Sequence, residues 1–288
     1  MNVRYVVVTP VRDEEEFLPR TIESMVRQSI LPMEWVIVND GSKDRTGEII
    51  ADAARQYSWI RLVDRKDRGF RKWGAGIIEA FYEGYDALSF KDWEFMSKLD
   101  GDLSFEPTYF ASAFRKFAED PKLGIGGGML YHVDEGGRRL ETHPLFHVRG
   151  GAKIYARECW DAMGGLWVGP GSDTLDDVKA NLLGWNSRSF PDILMHHHRW
   201  TGASFGKWGG ISKNGKTDYV SGYHPLFFLG KCIKRLFERP YIFGSCALAY
   251  GYLAAWLGKM PQVDDPQLIR YLQQQQMAKL MGRETIWK

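Results

Sequence analysis

The chain has 288 residues, 44% of them hydrophobic, enough to bury a core in one large domain or in a domain with an appendage. A net charge of +2 excludes a general polyanion binder, so no nucleic-acid partner is expected. Cys159, Cys232 and Cys246 are scattered without a C-x-x-C pair, which excludes a zinc ribbon or disulfide scaffold and points to free thiols in a reducing compartment.

Met1-Asn2-Val3-Arg4-Tyr5 leads directly into an apolar strand over 5–9, ending at Pro10, with no signal-peptide h-region. A cytoplasmic body is therefore expected. Residues 15–28 carry Phe17, Leu18, Ile22, Met25 and Val26 at helical spacing. A second strand reads over 34–39, and Asp44 reads as the N-cap of a helix through Ile49, Ile50, Ala53 and Ala54. A short strand over 60–64, a long helix over 73–88 and a strand over 93–99 follow. This alternation predicts a parallel sheet with right-handed crossovers.

Three loops then fall at one edge of that sheet: residues 9–16, residues 39–46 and Asp100-Gly101-Asp102. Open α/β sheets bind ligands beyond the carboxyl ends of their strands. Two carboxylates one residue apart suit a divalent cation gripping a diphosphate, because Mg²⁺ and Mn²⁺ share oxygen ligands with phosphates. Alone, Asp-x-Asp is equally a solvated turn, and Asp40-Gly41-Ser42 a tight turn shaped by its glycine. Three such loops on one edge favour a site.

The stretches Val6-Val7-Val8-Thr9-Pro10-Val11-Arg12-Asp13-Glu14-Glu15, Val36-Ile37-Val38-Asn39-Asp40-Gly41-Ser42-Lys43-Asp44-Arg45-Thr46 and Lys98-Leu99-Asp100-Gly101-Asp102 together resemble glycosyltransferase family 2. The resemblance is tight over 3–109 and looser to 199. It implies the A-type nucleotide-diphosphosugar transferase fold, an α/β architecture with a Rossmann-like, mostly parallel sheet flanked by helices. It implies a metal-dependent, inverting enzyme that moves a sugar from a nucleotide diphosphate sugar, usually UDP-linked, to a hydroxyl of a glycan or lipid-linked acceptor in cell-surface polysaccharide synthesis. A polyprenyl-phosphate sugar synthase, with a phosphate acceptor, is the alternative. A non-catalytic sugar-nucleotide-binding protein would be expected to lose Asp100 or Asp102, and both are present.

On this resemblance Thr9 and Glu14 border the nucleoside pocket, with Pro10 and Arg12 on the same loop, and Asp40 hydrogen-bonds the base. Asp100 and Gly101 lie near the ribose, and Asp102, with Asp100 beside it, binds Mn²⁺ or Mg²⁺. Asp13 stands where the family often has Asn. The basic, Gly-containing loop 65–76 complements a diphosphate's charge, and Arg68 and Arg71 are its candidates for phosphate or base contact. A solvated basic loop is the plain alternative.

In the second half, a helix over 108–119, a Gly-rich strand over 123–131, a strand over 150–155 and a helix from Arg157 are expected. The resemblance implies that Gly150 and Gly151 let the backbone approach the sugar diphosphate, where a β-bulge would serve as well. Between Gly171 and Gly184, Val178, Leu182 and Leu183 face the core, which leaves Asp176 and Asp177 in a helix's first turn. The family places an acidic pair at such a helix start, one member being the catalytic base. Asp176-Asp177 fits that pair, and Asp173 is a third candidate. His196-His197-His198-Arg199 closes a strand over 187–195. His197 or His198 is the candidate to join Asp102 on the metal, with binding of an acceptor phosphate as the other reading.

The character changes near residue 219, which divides a catalytic region (1–218) from a helical appendage (219–288). Residues 223–239 mix bulky apolar side chains with Lys231, Lys234, Arg235 and Arg239, and 241–258 carry no charge. That pattern suits peripheral contact with the cytoplasmic face of a membrane through 224–258. A buried helix or a homo-oligomer interface is the alternative. The Gln-rich 264–288 reads as a surface helix packed back on the core.

Overall fold

The computed structural model describes residues 3–70, 72–134, 137–199 and 206–287. In chain order the elements are β1 (Tyr5–Val11), α1 (Leu18–Val26), β2 (Glu34–Asn39), α2 (Thr46–Gln56), β3 (Ile60–Asp64), α3 (Gly76–Ala87), β4 (Phe95–Leu99) and β5 (Leu103–Phe105). There follow α4 (Tyr109–Glu119), β6 (Leu123–Asp134), β7 (Gly137–Leu140), β8 (Ala152–Ala156), α5 (Arg157–Met163), α6 (Ser172–Leu182) and β9 (Asn186–His197). The chain closes with α7 (Gly206–Val220), α8 (Pro225–Arg235), α9 (Tyr241–Leu257) and α10 (Pro266–Leu280).

Nine strands among the described residues form one sheet in the order β3-β2-β1-β4-β8-β6-β9-β5, with β7 paired to β6. The run β3-β2-β1-β4 is parallel, as the βα alternation predicts. Beyond it the sheet is mixed: β8 lies antiparallel between β4 and β6, β6 and β9 are parallel, and β5 runs antiparallel to β9. A parallel pair needs a crossover connection, and the short turns β4–β5 and β6–β7 supply none.

β1 is buried along its whole length because helices cover both faces. Tyr5 and Val7 pack with Trp35, Ile37, Phe110 and Phe114, while Val6 and Val8 pack with Val36, Val38, Phe81 and Trp160. Period-two alternation thus feeds two cores, each buried valine contributing roughly 1.5–3 kcal/mol. The strand runs on through Pro10 to Val11, past its expected end. β4 pairs with β1 only as far as Val8, so the proline sits where one flank of β1 has no partner strand.

Helix starts moved inward of their expected positions. α1 begins at Leu18 because 14–17 form a turn in which Leu18 N donates to Glu14 O at 2.9 Å. α2 begins at Thr46, so Asp44 is not its N-cap residue; its carboxylate accepts from Thr46 N at 3.0 Å and Glu15 N at 3.1 Å, tying the first two loops together. The three cysteines are unpaired thiols.

α7 and α9 cross at backbone contact. A Cβ on Gly215 would fall 2.0 Å from Leu248 O, and one on Gly251 1.9 Å from Ser212 O, so only glycine permits this approach. α10 is capped by Asp265, which accepts from Leu268 N at 3.0 Å, and it packs Leu268 and Leu272 against Phe146, Leu175 and Val178. Among the described residues no helix is long and apolar enough to cross a membrane.

Candidate active site

Two cavities meet at the carboxyl ends of β1, β2 and β4, and Asp100 lines both. The first, about 360 Å³, is bordered by Pro10, Arg12, Glu14, Asp40, Arg68, Trp73, Ile77, Gly101, Asp102 and Arg199. The second, about 290 Å³, is bordered by Lys98, Arg149, Gly150, Gly151, Asp173, Asp176 and His197.

In the first cavity the charges are already paired. Arg68 grips Asp40 with two parallel bonds of 2.8 and 2.6 Å, and Arg65 also donates to Asp40. Arg12 bonds Asp40 O at 3.0 Å and Asp67 at 2.8 Å. Arg199 donates to Glu14 at 2.6 Å. Asp40 was expected to hydrogen-bond the base and Arg68 to contact phosphate or base, and the fold joins the two as one ion pair on the wall. Thr9 is a correction. It is fully buried, and its hydroxyl accepts from the Trp35 indole at 2.8 Å, so its side chain faces the core and not the cavity. Arg71 lies outside the described residues.

Asp102 sits at the turn into β5, and β5 pairs with β9 in the register Leu103↔His197. That register sets the histidine run beside the acidic loop. Asp102 Oδ2 lies 3.4 Å from His197 Nε2 and 3.9 Å from Arg199 Nε. Asp102 Oδ1 is buried and has no hydrogen-bond partner among the described residues. A buried carboxylate oxygen without a donor is costly, and a cation satisfies it. The donors here, one carboxylate and one imidazole, suit a divalent ion such as Mn²⁺.

His198 points away from that place, a second correction. Strand alternation turns it to the opposite face, where its ring bonds Arg20 at 3.0 Å and Ser104 at 2.8 Å. Burial and the neighbouring His196 and Arg20 push its pKa down to about 4. Burial also opposes charge on His197, but Asp102 and Glu141 outweigh it and raise that ring to about 9.

The two glycines before β8 have a steric purpose. A Cβ on Gly151 would stand 2.5 Å from Asp100 Oδ2, and one on Gly150 3.0 Å from Asp173 Cβ. They let the strand lie against both acids. Asp100 is further held by Lys98, whose Nζ donates to it at 3.1 Å.

α6 begins at Ser172, so Asp173 occupies its first turn and Asp176 and Asp177 lie a turn further in. This corrects the expected registry. Asp176 is bound on both oxygens, by Lys153 Nζ at 2.6 Å and by the Tyr155 hydroxyl at 2.6 Å. Asp177 accepts from Val148 N at 3.0 Å, faces His147 Nδ1 at 2.9 Å and lies 3.0 Å from Lys153 Nζ. Burial and the neighbouring Asp177 push Asp176 up, while Lys153 pulls against them. Burial would lower Lys153, but the charges of Asp176 and Asp177 outweigh it and raise it. Asp173 is different. Burial would raise it, yet His147, Lys153, Arg149 and Lys98 together hold it below the usual carboxylate value, ionised at neutral pH.

Lys153, Glu141, His132 and Arg149 were not anticipated. A lysine inside the apolar run Ala152–Ala156 is a readable sign of a buried acid partner. Glu141 sits in a polar stretch after β7 and has no such signal.

The family model for glycosyl transferase family 2 matches residues 6–168, more than half of the chain. The chain belongs to that family. The curated relative glycosyltransferase EpsJ of Bacillus subtilis is 31% identical over 90 residues, 29% of this chain and 26% of that protein. Glycosyltransferase GlyA of Streptococcus pneumoniae is 26% identical over 152 residues, 52% of this chain but 20% of that protein. The matched stretches therefore span about a quarter or less of these relatives. Among solved structures, a mannosyltransferase of Pyrobaculum calidifontis in complex with GDP-Man and Mn²⁺ superposes with a TM-score of 0.58 at 14% identity, covering 99% of this chain and 77% of that one. GalNAc-T7 with UDP, GalNAc and Mn²⁺ gives 0.61 at 13% identity, covering 99% of this chain and 55% of that one. At these identities the likeness is one of fold, and the fold is the A-type glycosyltransferase architecture.

Proposed function

We propose that this transferase moves a sugar from a nucleoside diphosphate sugar to an acceptor hydroxyl in a single inverting displacement. The observation that carries the reading is the junction at Asp100, with Asp102 on the wall of one cavity and Asp173 on that of the other. The nucleotide would occupy the first cavity, between the Asp40–Arg68 pair and the apolar faces of Pro10, Trp73 and Ile77. Asp102 and His197 would hold a divalent cation, which when bound neutralises charge on the departing diphosphate.

Asp173 is the acid we assign as general base. It lines the acceptor-side cavity and stays ionised, whereas Asp176 and Asp177 are occupied by Lys153, Tyr155, Val148 and His147. It takes the proton of the acceptor hydroxyl as that oxygen attacks the anomeric carbon. A phosphate acceptor fits less well, because the cations of that cavity are each matched to a carboxylate: Lys98 to Asp100, Lys153 to Asp176, Arg149 to Glu141.

The reading extends to the appendage. Helices α8 and α9 and the link between them expose Leu229, Ile233, Phe237, Ile242, Trp256 and Leu257. Lys234 and Arg239 are exposed on the same segment, so an anionic lipid surface is its partner, with synthesis at the cytoplasmic face and a lipid-linked or cell-surface glycan as acceptor. Residues 1–218 then form the catalytic region and 219–288 the docking segment.

Thermal unfolding with a panel of UDP- and GDP-sugars, with Mn²⁺ or with chelator, tests the donor reading. One donor should raise Tm in a Mn²⁺-dependent way, in proportion to ln(1 + [L]/Kd). No shift with any nucleotide sugar would overturn it.

A further inference from the structure

A chain of side chains runs from Asp102 back into the sheet, and only its first two members belong to the cation site proposed above. His197 Nε2 faces Asp102 Oδ2 at 3.4 Å, and its other nitrogen, Nδ1, faces Glu141 Oε1 at 3.1 Å. That same oxygen lies 2.8 Å from His132 Nε2, and Glu141 Oε2 lies 2.8 Å from Arg149 Nε. His132 is in turn fixed by the His197 carbonyl, 3.0 Å from its Nδ1. The members come from β6, from the segment after β7 and from β9, so the sheet itself sets the arrangement.

Both nitrogens of His197 therefore face carboxylate oxygens. The two carboxylates favour the protonated ring, which donates from both nitrogens, whereas a cation at Asp102 requires the neutral form, with one N–H and one lone pair. If Nδ1–H donates to Glu141, the lone pair on Nε2 is aimed toward Asp102, whose Oδ1 is the buried oxygen without a partner. An imidazole that binds a metal commonly donates its other N–H to a carboxylate, which fixes the tautomer and the ring orientation. Glu141 is held in that position from both sides. Burial would raise its pKa, but the bonds from His197 and His132 and the charge of Arg149 outweigh it and bring it down to about 2.

We propose that Glu141, braced by His132 and Arg149, is a positioning residue that fixes His197 with Nε2 toward Asp102 and so prepares the two-residue donor set for a divalent cation. The proposal rests on the cation reading of Asp102 and His197. Arg149 also lines the cavity that Asp173 lines, so the residue that braces Glu141 stands on the acceptor side of the site.

The test is a titration of the protein with Mn²⁺ alone, following free Mn²⁺ by electron paramagnetic resonance and a directly bound imidazole nitrogen by electron spin-echo modulation. Glu141→Ala should weaken Mn²⁺ binding by about 10–100-fold and diminish the nitrogen modulation, with Glu141→Gln intermediate because its amide oxygen still accepts from Nδ1–H. Asp102→Ala should abolish binding. Thermal unfolding of each variant separates loss of the site from loss of the fold, and a folded Glu141→Gln keeps the test alive if Glu141→Ala does not fold. Loss with Asp102→Ala but unchanged affinity and modulation in the folded Glu141 variants would overturn the positioning proposal and leave the cation reading standing. Binding that survives Asp102→Ala and is lost in His132→Ala would overturn both, placing the ion among His132, Glu141 and His197, whose ligand atoms lie within 4.8 Å of one another. Absence of Mn²⁺ binding by the unaltered protein would remove the cation site and the proposal with it.

Discussion

The two cavities that share Asp100 are built from charge in opposite ways. Around the first, the ion pairs sit on loops and are partly open: Arg68 is 21% exposed against Asp40, and Arg199 30% exposed against Glu14. Around the second, Lys153, Asp176 and Asp177 are closed off from water on a strand and a helix, with exposures of 0%, 1% and 0%. A loop-borne pair can exchange its partner for a ligand at modest cost. A buried network cannot, because each member released into a low dielectric is an uncompensated charge. The first set is therefore suited to recognition and the second to holding the wall on which Asp173 stands.

The largest expected effect is at Lys153. Lys153→Met leaves Asp176 and Asp177 buried without their cation and should destabilise the protein by about 3–5 kcal/mol, read as a lower urea midpoint. Arg68→Met in the same assay should cost less than Lys153→Met, because Arg65 still donates to the buried Asp40 carboxylate. Equal losses would mean that the two cavities do not differ in this way. In kinetics the order reverses, and Arg68→Met should raise the donor KM while leaving kcat near its normal value. An unchanged KM would make the Asp40–Arg68 pair structural.

Stability against pH sharpens the same contrast. Burial, with His147 and Arg149 nearby, lowers His143 from 6.5 to about 4, and its ring rests on Ser189 Oγ at 3.0 Å. Because the folded value lies below the unfolded one, the unfolded chain takes up the proton first. Stability from this group is full above pH 6.5 and is lost as pH falls through about 4. Melting temperatures should drop across that window, and His143→Gln should flatten the drop. An identical slope in the variant would exclude His143 as its source.

The smallest effect concerns α8 and α9. Lys231 is tied to Asp218 at 2.9 and 2.7 Å, and Lys234 and Arg235 both approach Glu238. Fewer cations are free than a count of Lys and Arg implies, so liposome binding should depend more on Phe237, Ile242 and Leu257 than on salt. Serine at these three positions should weaken binding to anionic vesicles more than raising salt does. Complete release by salt alone would restore an electrostatic account.

How much of this could be read beforehand follows from how local each feature is. The β-α alternation and the three acidic loops rest on short runs, where strand ends and turn residues announce themselves. Thr9 was misplaced because alternation within an all-apolar strand does not reveal which face a polar residue takes, and Trp35 claims its hydroxyl. The choice between His197 and His198 depends on the β5–β9 register, a pairing across about a hundred residues of chain that no local pattern encodes. The acids of α6 were misjudged by one turn because the helix opens at Ser172, and the partners that occupy Asp176 and Asp177 come from β8 and from the segment before it.

The division between Asp173 and its neighbours is the centre of this account, and one paired measurement addresses it. Single-turnover transfer by Asp173→Asn and by Asp176→Asn, each with donor affinity and thermal unfolding measured alongside, separates a proton acceptor from a framework residue. Asp173→Asn should lose at least about 100-fold in rate with donor affinity and melting temperature little changed, as general-base loss requires. Asp176→Asn should instead lower the melting temperature, with its remaining folded fraction transferring sugar at close to the normal rate. A stable, fully active Asp173→Asn beside a stable, inactive Asp176→Asn would contradict the assignment and return the base to the buried pair.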